Sequence, residues 1–279
     1  MNQPVLYLVG TPIGNLGDIS PRVAETLKSV DLIAAEDTRN TLKLLNHLGI
    51  KKPLISYFEH NKRERGQEIL EKIREGKTVA LVTDAGMPAI SDPGEDLVAL
   101  LYENGFTATA VAGPCALVCG LILSGLPTGR FCFEGFLSVN KKSRAEHLAS
   151  LKNETRTMIF YESPQKLRRT LADLIDSFGG DRPAALIREI SKLHEETLRG
   201  TLSALAARQE ETPPRGEYVV VVGGRQTPPV EDAFWTEMTV DQHVDHYRAL
   251  GLAKADAIRA AAKDRGVRKS DVYNEYIRK

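Results

Sequence analysis

The chain has 279 residues, of which 42% are hydrophobic and 27% charged. That composition excludes a mainly disordered, collagen-like or disulfide-scaffold protein, and the length suggests about two domains. Its 37 Lys plus Arg balance 37 Asp plus Glu, so only local charge can speak for or against a nucleic-acid partner. In chain order, the apolar run Val5-Leu6-Tyr7-Leu8-Val9 reads as a buried strand, broken by Gly10-Thr11-Pro12-Ile13-Gly14-Asn15. Ser20-Pro21 starts a helix, with Pro at its first position and Val23, Leu27 and Val30 at helical spacing. Strands follow at 32–35, 54–57 and 79–82. Between them lie helices at 38–48, closed by Gly49, and 63–75, closed by Gly76. A long loop at 83–94, a helix over 95–103 and a strand over 108–111 complete this half.

Strands that alternate with helices and are nearly continuously apolar predict a mostly parallel sheet covered on both faces. The pattern pauses at Ser124-Gly125-Leu126-Pro127-Thr128-Gly129 and restarts as a second α/β half. That half has strands at 131–133, 157–161, 184–187 and 218–222, with helices at 141–151 and 164–178. Residues 107–129 carry no charge, but the Gly and Pro residues within them fit a strand, a turn and a buried helix better than a membrane span. Gly223-Gly224-Arg225-Gln226-Thr227-Pro228-Pro229 reads as a linker, and three short helices follow at 240–250, 253–264 and 270–277. From Arg248 onward there are nine Lys or Arg against four Asp or Glu, a basic tail. The expected division is 1–115, 116–224 and a small basic, helix-turn-helix-like module over 231–279.

Several chemistries are not encoded. No P-loop, G-x-G-x-x-G fingerprint, H-E-x-x-H pair or G-x-S-x-G elbow occurs. His243 and His246 share a helical face that reads as solvated. Cys115, Cys119 and Cys132 form no C-x-x-C pair and read as buried thiols of a reducing cytosol. The first residues show no basic stretch before an apolar one, so no signal peptide is expected.

Open α/β sheets bind ligands at the carboxyl ends of their strands. Three loops after apolar strands therefore stand out: 11–15, Glu36-Asp37-Thr38-Arg39 and 83–94. Ala112-Gly113-Pro114-Cys115-Ala116 is a fourth. Ala85 and Gly86 let the backbone approach a ligand, and Asp84 is an acceptor for a hydroxyl or an amine. Asp92-Pro93-Gly94 reads as a turn and helix start. Asp37 or Thr38 serves equally as a helix cap or as part of a site. Arg130 and Lys141-Lys142-Ser143-Arg144 form a basic cluster: a solvated helix face or, with the tail, a phosphate-contact surface.

Taken together, the loops resemble the bacterial 16S ribosomal RNA cytidine 2′-O-methyltransferases of the tetrapyrrole-methylase superfamily. The resemblance runs over residues 4–222. It rests on Thr11-Pro12-Ile13-Gly14-Asn15-Leu16, Ala35-Glu36-Asp37-Thr38-Arg39, Asp84-Ala85-Gly86-Met87-Pro88 with Ser91-Asp92-Pro93-Gly94, and Gly113-Pro114-Cys115-Ala116. Ser124-Gly125-Leu126-Pro127, Arg130-Phe131-Cys132-Phe133-Glu134-Gly135-Phe136, Tyr161-Glu162-Ser163 and Arg188-Glu189-Ile190 follow in order. Met87 stands where the family commonly has Thr, and Ile190 where it commonly has Leu.

The resemblance implies two α/β domains with S-adenosylmethionine in the cleft between them, a homodimer, and no membrane. It implies a cytoplasmic enzyme that methylates the 2′-hydroxyl of cytidine 1402 in 16S rRNA of the small ribosomal subunit. It places Thr11, Pro12, Ile13, Gly14, Asp84, Ala85, Gly86, Met87, Pro114, Cys115, Ala116, Tyr161 and Glu162 around the cofactor. In-line transfer from a sulfonium needs alignment and a proton acceptor but no metal. Glu36, Asp37 and Glu189 are the expected catalytic acids, with Glu162 and Lys192 as further candidates. Arg39, Arg130, Lys141, Lys142 and Arg144 are the expected RNA contacts. Two rivals are a tetrapyrrole-ring C-methyltransferase and a ribosome-assembly factor without cofactor affinity.

Overall fold

The computed structural model describes residues 5–225 and 234–277. It forms two compact units, 1–225 and 226–279. The expected linker residues 226–229 lie outside the described residues.

The first unit opens with β1 (Leu6–Val9), a 3-10 turn at Leu16–Asp18, α1 (Pro21–Ser29), β2 (Leu32–Ala35), α2 (Thr38–His47) and β3 (Leu54–Ser56). There follow α3 (Lys62–Arg74), β4 (Val79–Val82), α4 (Gly94–Glu103) and β5 (Ala108–Val111). The boundaries are chemically marked. Ser20 caps α1 by accepting from the Val23 N–H, and Asp37 caps α2 by accepting from the Arg39 N–H. The five strands pair in the order β3-β2-β4-β1-β5, all parallel. Val23, Leu27 and Leu45 of α1 and α2 cover one face, while Ile69, Leu70, Ile73, Leu97 and Leu101 of α3 and α4 cover the other. The loops after β1, β2, β4 and β5 consequently share the carboxyl edge.

A second sheet begins after α5 (Ala116–Ser124). Its elements are β6 (Phe131–Phe136), α6 (Lys141–Ser150), β7 (Thr157–Glu162), α7 (Pro164–Phe178), β8 (Pro183–Arg188), β9 (Glu196–Thr201), α8 (Leu202–Glu211) and β10 (Tyr218–Val222). The order is β6-β7-β10-β8-β9. Only β6 and β7 are parallel; β10 runs antiparallel to both β7 and β8, and β9 to β8. The mostly parallel sheet expected from the first run of strands is the first sheet; the second half is α/β but mostly antiparallel. β9 and α8 were not expected at all: β9 is a polar edge strand, Glu-Thr-Leu-Arg-Gly-Thr, with little apolar signal.

Helix α5 packs on this second sheet through Leu117 and Leu121, against Ile159, Ile187, Val219 and Val221. Gly120 permits the close approach: a Cβ there would sit 2.5 Å from Val219 Cγ1. Gly120→Ala is expected to destabilise the protein by about 1–2 kcal/mol despite alanine's better helix propensity. Urea denaturation measures this. An unchanged midpoint would mean that the helix can slide on the sheet. The other face carries Leu148 of α6, Leu167, Leu171 and Leu174 of α7 and Leu202 and Leu205 of α8.

The second unit contains α9 (Val240–Ala249), α10 (Lys254–Arg265) and α11 (Lys269–Ile277) around Val244, Ala257, Ile258, Ala261 and Val272. His243 is fully buried, which corrects its reading as a solvated residue. Its ring stacks on Trp235 at 5.1 Å, its Nε2 lies 3.2 Å from Asp264 and its Nδ1 accepts from Arg265 Nε at 3.0 Å. Burial and the Arg265 charge hold its imidazole below the usual histidine value. Over residues 234–277 seven Lys or Arg face seven Asp or Glu, so the basic excess is confined to the stretch from Arg248 onward.

Candidate functional site

The carboxyl edge of the first sheet and the second sheet bound a cleft of about 500 Å³. One wall is built by the loop after β4, with Thr83, Asp84, Ala85, Gly86 and Met87, together with Ile13 and Glu36. The other is built by Tyr161 and Glu162 at the end of β7, Ile187, Glu189 and Lys192 around the end of β8, and Glu217 before β10. Cys115 and Ala116 at the start of α5 line it as well.

The walls are tied together locally. Thr11 bridges Gly86 through paired backbone hydrogen bonds of 2.9 and 3.1 Å, and its buried hydroxyl donates to the Thr83 carbonyl at 3.1 Å. Gly10 and Gly113 let the ends of β1 and β5 abut: a Cβ on Gly10 would lie 2.7 Å from Gly113 Cα. Asp92 accepts from the N–H groups of Ala89, Ile90 and Gly94 and so folds the loop, as its turn reading implied. Four non-glycine residues among those described have left-handed φ: Ala89, Ser91, Glu189 and Ser191. All four lie in the loops after β4 and β8, and such strain concentrates at working sites.

The charges separate into two sets. On the first wall, Glu36 Oε2 accepts from Thr83 Oγ1 at 2.5 Å and from the Asp84 N–H at 3.2 Å. Asp84 accepts from the Asp37 N–H at 3.2 Å and from Asn40 Nδ2 at 3.1 Å. Burial pushes the Asp84 carboxyl up; the Asn40 hydrogen bond opposes this and the neighbouring Glu36 charge adds to it. On the second wall, Lys192 Nζ donates to Glu189 and to Glu217, each at 2.8 Å. That hydrogen bond holds the Glu189 carboxyl low. Burial alone would lower the Lys192 ammonium, but the two carboxylates outweigh it and leave it raised.

Tyr161 is anchored between Phe133 and Phe136, and its hydroxyl accepts the Leu117 N–H at 3.0 Å at the start of α5. Burial pushes its phenol up to about 12. Glu162 is 3% exposed; it accepts from the Ser163 N–H and from Thr170 Oγ1.

Of the expected catalytic acids, Glu36 and Glu189 line the cleft and Asp37 does not. Asp37 caps α2 and chelates Arg39, whose hydrogen bonds hold its carboxyl down at about 2. Among the expected cofactor residues, Ile13, Asp84, Ala85, Gly86, Met87, Cys115, Ala116, Tyr161 and Glu162 line the cleft, while Thr11, Pro12 and Gly14 border a neighbouring recess. Pro114 presents its carbonyl behind Gly86, 3.6 Å from where a Cβ would stand. The three cysteines are half-buried rather than buried.

Arg39, Arg130, Lys141 and Lys142 are exposed. Arg144 is not: it is 4% exposed, with Nε on Asp173 at 2.5 Å and Nη2 on Thr170 Oγ1 at 2.8 Å. It is therefore corrected from an RNA contact to a buried structural cation. Arg130 precedes β6 at the end opposite Phe136, about 20 Å from the cleft at strand rise. Sequence reasoning missed Glu217, because an antiparallel β10 brings its amino end, not its carboxyl end, to the cleft.

The sequence profile of the tetrapyrrole (corrin/porphyrin) methylases matches residues 5–206. A ribosomal RNA small subunit methyltransferase I of Halalkalibacterium halodurans is 47% identical over 99% of this chain and 95% of its own length. The protein of that name from Pseudomonas aeruginosa is 43% identical over 100% of this chain and 99% of its own. Among solved structures, uroporphyrin-III-C-methyltransferase from Thermus thermophilus superposes with a TM-score of 0.56 at 19% identity, covering 78% of this chain and 93% of that one. The methyltransferase CobJ does so with a TM-score of 0.59 at 19% identity, covering 82% and 97%.

Proposed function

The chain belongs to the tetrapyrrole methylase family, and from that premise we propose that it transfers a methyl group from S-adenosylmethionine to the 2′-hydroxyl of cytidine 1402 in 16S rRNA of the small ribosomal subunit. The carrying observation is near-full-length identity to relatives named for methylation of small-subunit ribosomal RNA. No helix among the described residues is long and apolar enough to cross a membrane. Action on the ribosome makes the cytoplasm the place of work.

When bound, S-adenosylmethionine supplies a methyl group on a positively charged sulfur, a good leaving group for in-line displacement. The cleft suits such a ligand. Ile13, Met87, Ile187 and Ile190 give apolar contact, Ala85 and Gly86 allow close backbone approach, and carboxylates from both walls face a cation. The chain's own tasks are to orient the acceptor hydroxyl and to take its proton. Glu36 and Asp84 form the proton-accepting pair, because two adjacent carboxylates with Asp84 raised make a better base than the ion-paired Glu189. Lys192 remains an ammonium and acts as a fixed positive charge at the opposite wall. Arg39, Lys141 and Lys142 are nearer RNA contacts and Arg130 a distal one. Val118 and Ile122 project outward from α5, a helix apolar on all sides, at 47% and 65% exposure. A second copy of the chain covers that face as a homodimer.

The test is transfer of labelled methyl to small subunits lacking the modification, with naked 16S rRNA and a porphyrinogen in parallel. Label at 2′-O-methylcytidine is expected. Label in the porphyrinogen alone would replace the RNA reading, and cofactor binding without any transfer to RNA would remove it.

A further inference from the structure

Beside the cleft, on the far side of Asp84, lies a second recess of about 290 Å³. One wall is the loop after β1, with Pro12, Gly14 and Leu16; the other is the face of α2 that carries Asn40, Lys43, Leu44 and His47. Thr83 and Asp84 belong to both cavities, so occupants of the two would be separated by little more than one carboxylate. Along α2 the groups are ordered. Asn40 Nδ2 donates to Asp84 at 3.1 Å, Lys43 Nζ donates to Asn40 Oδ1 at 3.4 Å, and His47 stands one turn further. The helix rises about 10 Å from Asn40 to His47.

Position in a concavity distinguishes this face from an ordinary solvated one. Some surface cations of this unit are matched, Arg39 by Asp37, Lys62 by Glu59 and Asp96, Arg74 by Glu71, while others such as Lys28, Lys51 and Arg63 stand on open surface without a carboxylate among the described residues. Among the described residues, Lys43 and His47 pair with no carboxylate, although both line a concavity beside an acid-rich cleft. A recess with hydroxyl acceptors at one end, an uncompensated ammonium and an imidazole at the other, and apolar Leu16 and Leu44 between them matches a ribonucleotide: ribose at the acid end, phosphate at the cationic end.

We propose that this recess is a ribonucleotide subsite for the strand flanking the methyl acceptor, with Lys43 and His47 on its phosphate and Asn40 towards its ribose. The proposal deepens the RNA-methylation reading and rests on it. Bound there, the neighbouring nucleotide would fix where the acceptor ribose meets Asp84, so the subsite serves register rather than chemistry.

The experiment compares wild type, Lys43→Ala, the double variant Lys43→Ala/His47→Gln and Lys72→Ala, a control on α3 across the sheet. Each is measured for methyl transfer to small subunits, for binding of a single-stranded 16S rRNA fragment at several salt concentrations, and for cofactor affinity. The double variant is expected to raise KM for the subunit roughly five- to tenfold. The slope of log affinity against log salt should fall by about one per removed contact. Cofactor affinity should stay at the wild-type value, which also shows that the variant is folded. Wild-type KM and salt slope in the double variant, beside an active wild-type enzyme, would overturn the subsite alone. A wild-type protein that bound cofactor but neither methylated nor bound RNA would overturn the subsite and the RNA reading together.

Discussion

Glu36→Gln is expected to lower the rate of methyl transfer at saturating cofactor and RNA by about 10²–10⁴-fold, the usual worth of a positioned general base. Glutamine's side-chain oxygen can still accept from Thr83 Oγ1 and from the Asp84 N–H, so the loop after β4 keeps its shape and only the carboxylate is lost. Cofactor affinity should therefore change little. Glu189→Gln is expected to cost less, because Glu189 already spends its charge on Lys192. The pH profile gives an independent check. Asp84 is raised in the folded protein, so the wild-type acid limb should lie above an ordinary aspartate value of about 3.9, activity being lost as pH falls through it. Removing the Glu36 charge takes away one cause of that rise, and the limb of the residual activity should move to lower pH. Near-normal turnover in Glu36→Gln, with a loss beyond 10²-fold in Glu189→Gln, would move the base to the opposite wall.

Arg144→Ala is expected to destabilise the protein by about 3 kcal/mol while leaving RNA affinity unchanged. The guanidinium is almost fully buried between Asp173 and Thr170, and Thr170 in turn donates to the buried Glu162 at the cleft. Removing one partner of a buried ion pair costs about 3–5 kcal/mol; the lower end applies because the Asp173 side chain is a third exposed. For a unit of this size that is a fall in Tm of roughly 6–12 °C. Lys141→Ala and Lys142→Ala, at exposed positions three and two residues earlier, should do the reverse: an unaltered Tm and a shallower salt dependence of RNA binding. A wild-type Tm for Arg144→Ala, joined to weaker RNA binding, would return this arginine to the surface and overturn its structural role.

The α/β character, nearly all of the elements and four of the cleft's loops were legible because each is written in local pattern. Apolar runs of four or five residues, Ser20-Pro21, Gly49 and Gly76 mark strands and helix ends without reference to anything distant. In the first sheet every strand is parallel, so every strand-to-helix loop reaches the same edge, and the loops after β1, β2, β4 and β5 could be gathered into one site from the sequence. The second sheet broke that rule. Strand direction depends on non-local pairing, and β10, inserted antiparallel between β7 and β8, carried Glu217 to the cleft from its amino end. Charge runs misled for a related reason. Arg144 sits four residues before Leu148 on the covered face of α6, and His243 beside Val240 and Val244 on that of α9, so burial overrode polarity once Asp173 and Asp264 supplied partners. What the sequence determined by itself was most of the elements and the family. Which ends meet, and which charges are left without partners in the recess at α2, was decided by tertiary structure, because pairing and burial belong to no single segment of the chain.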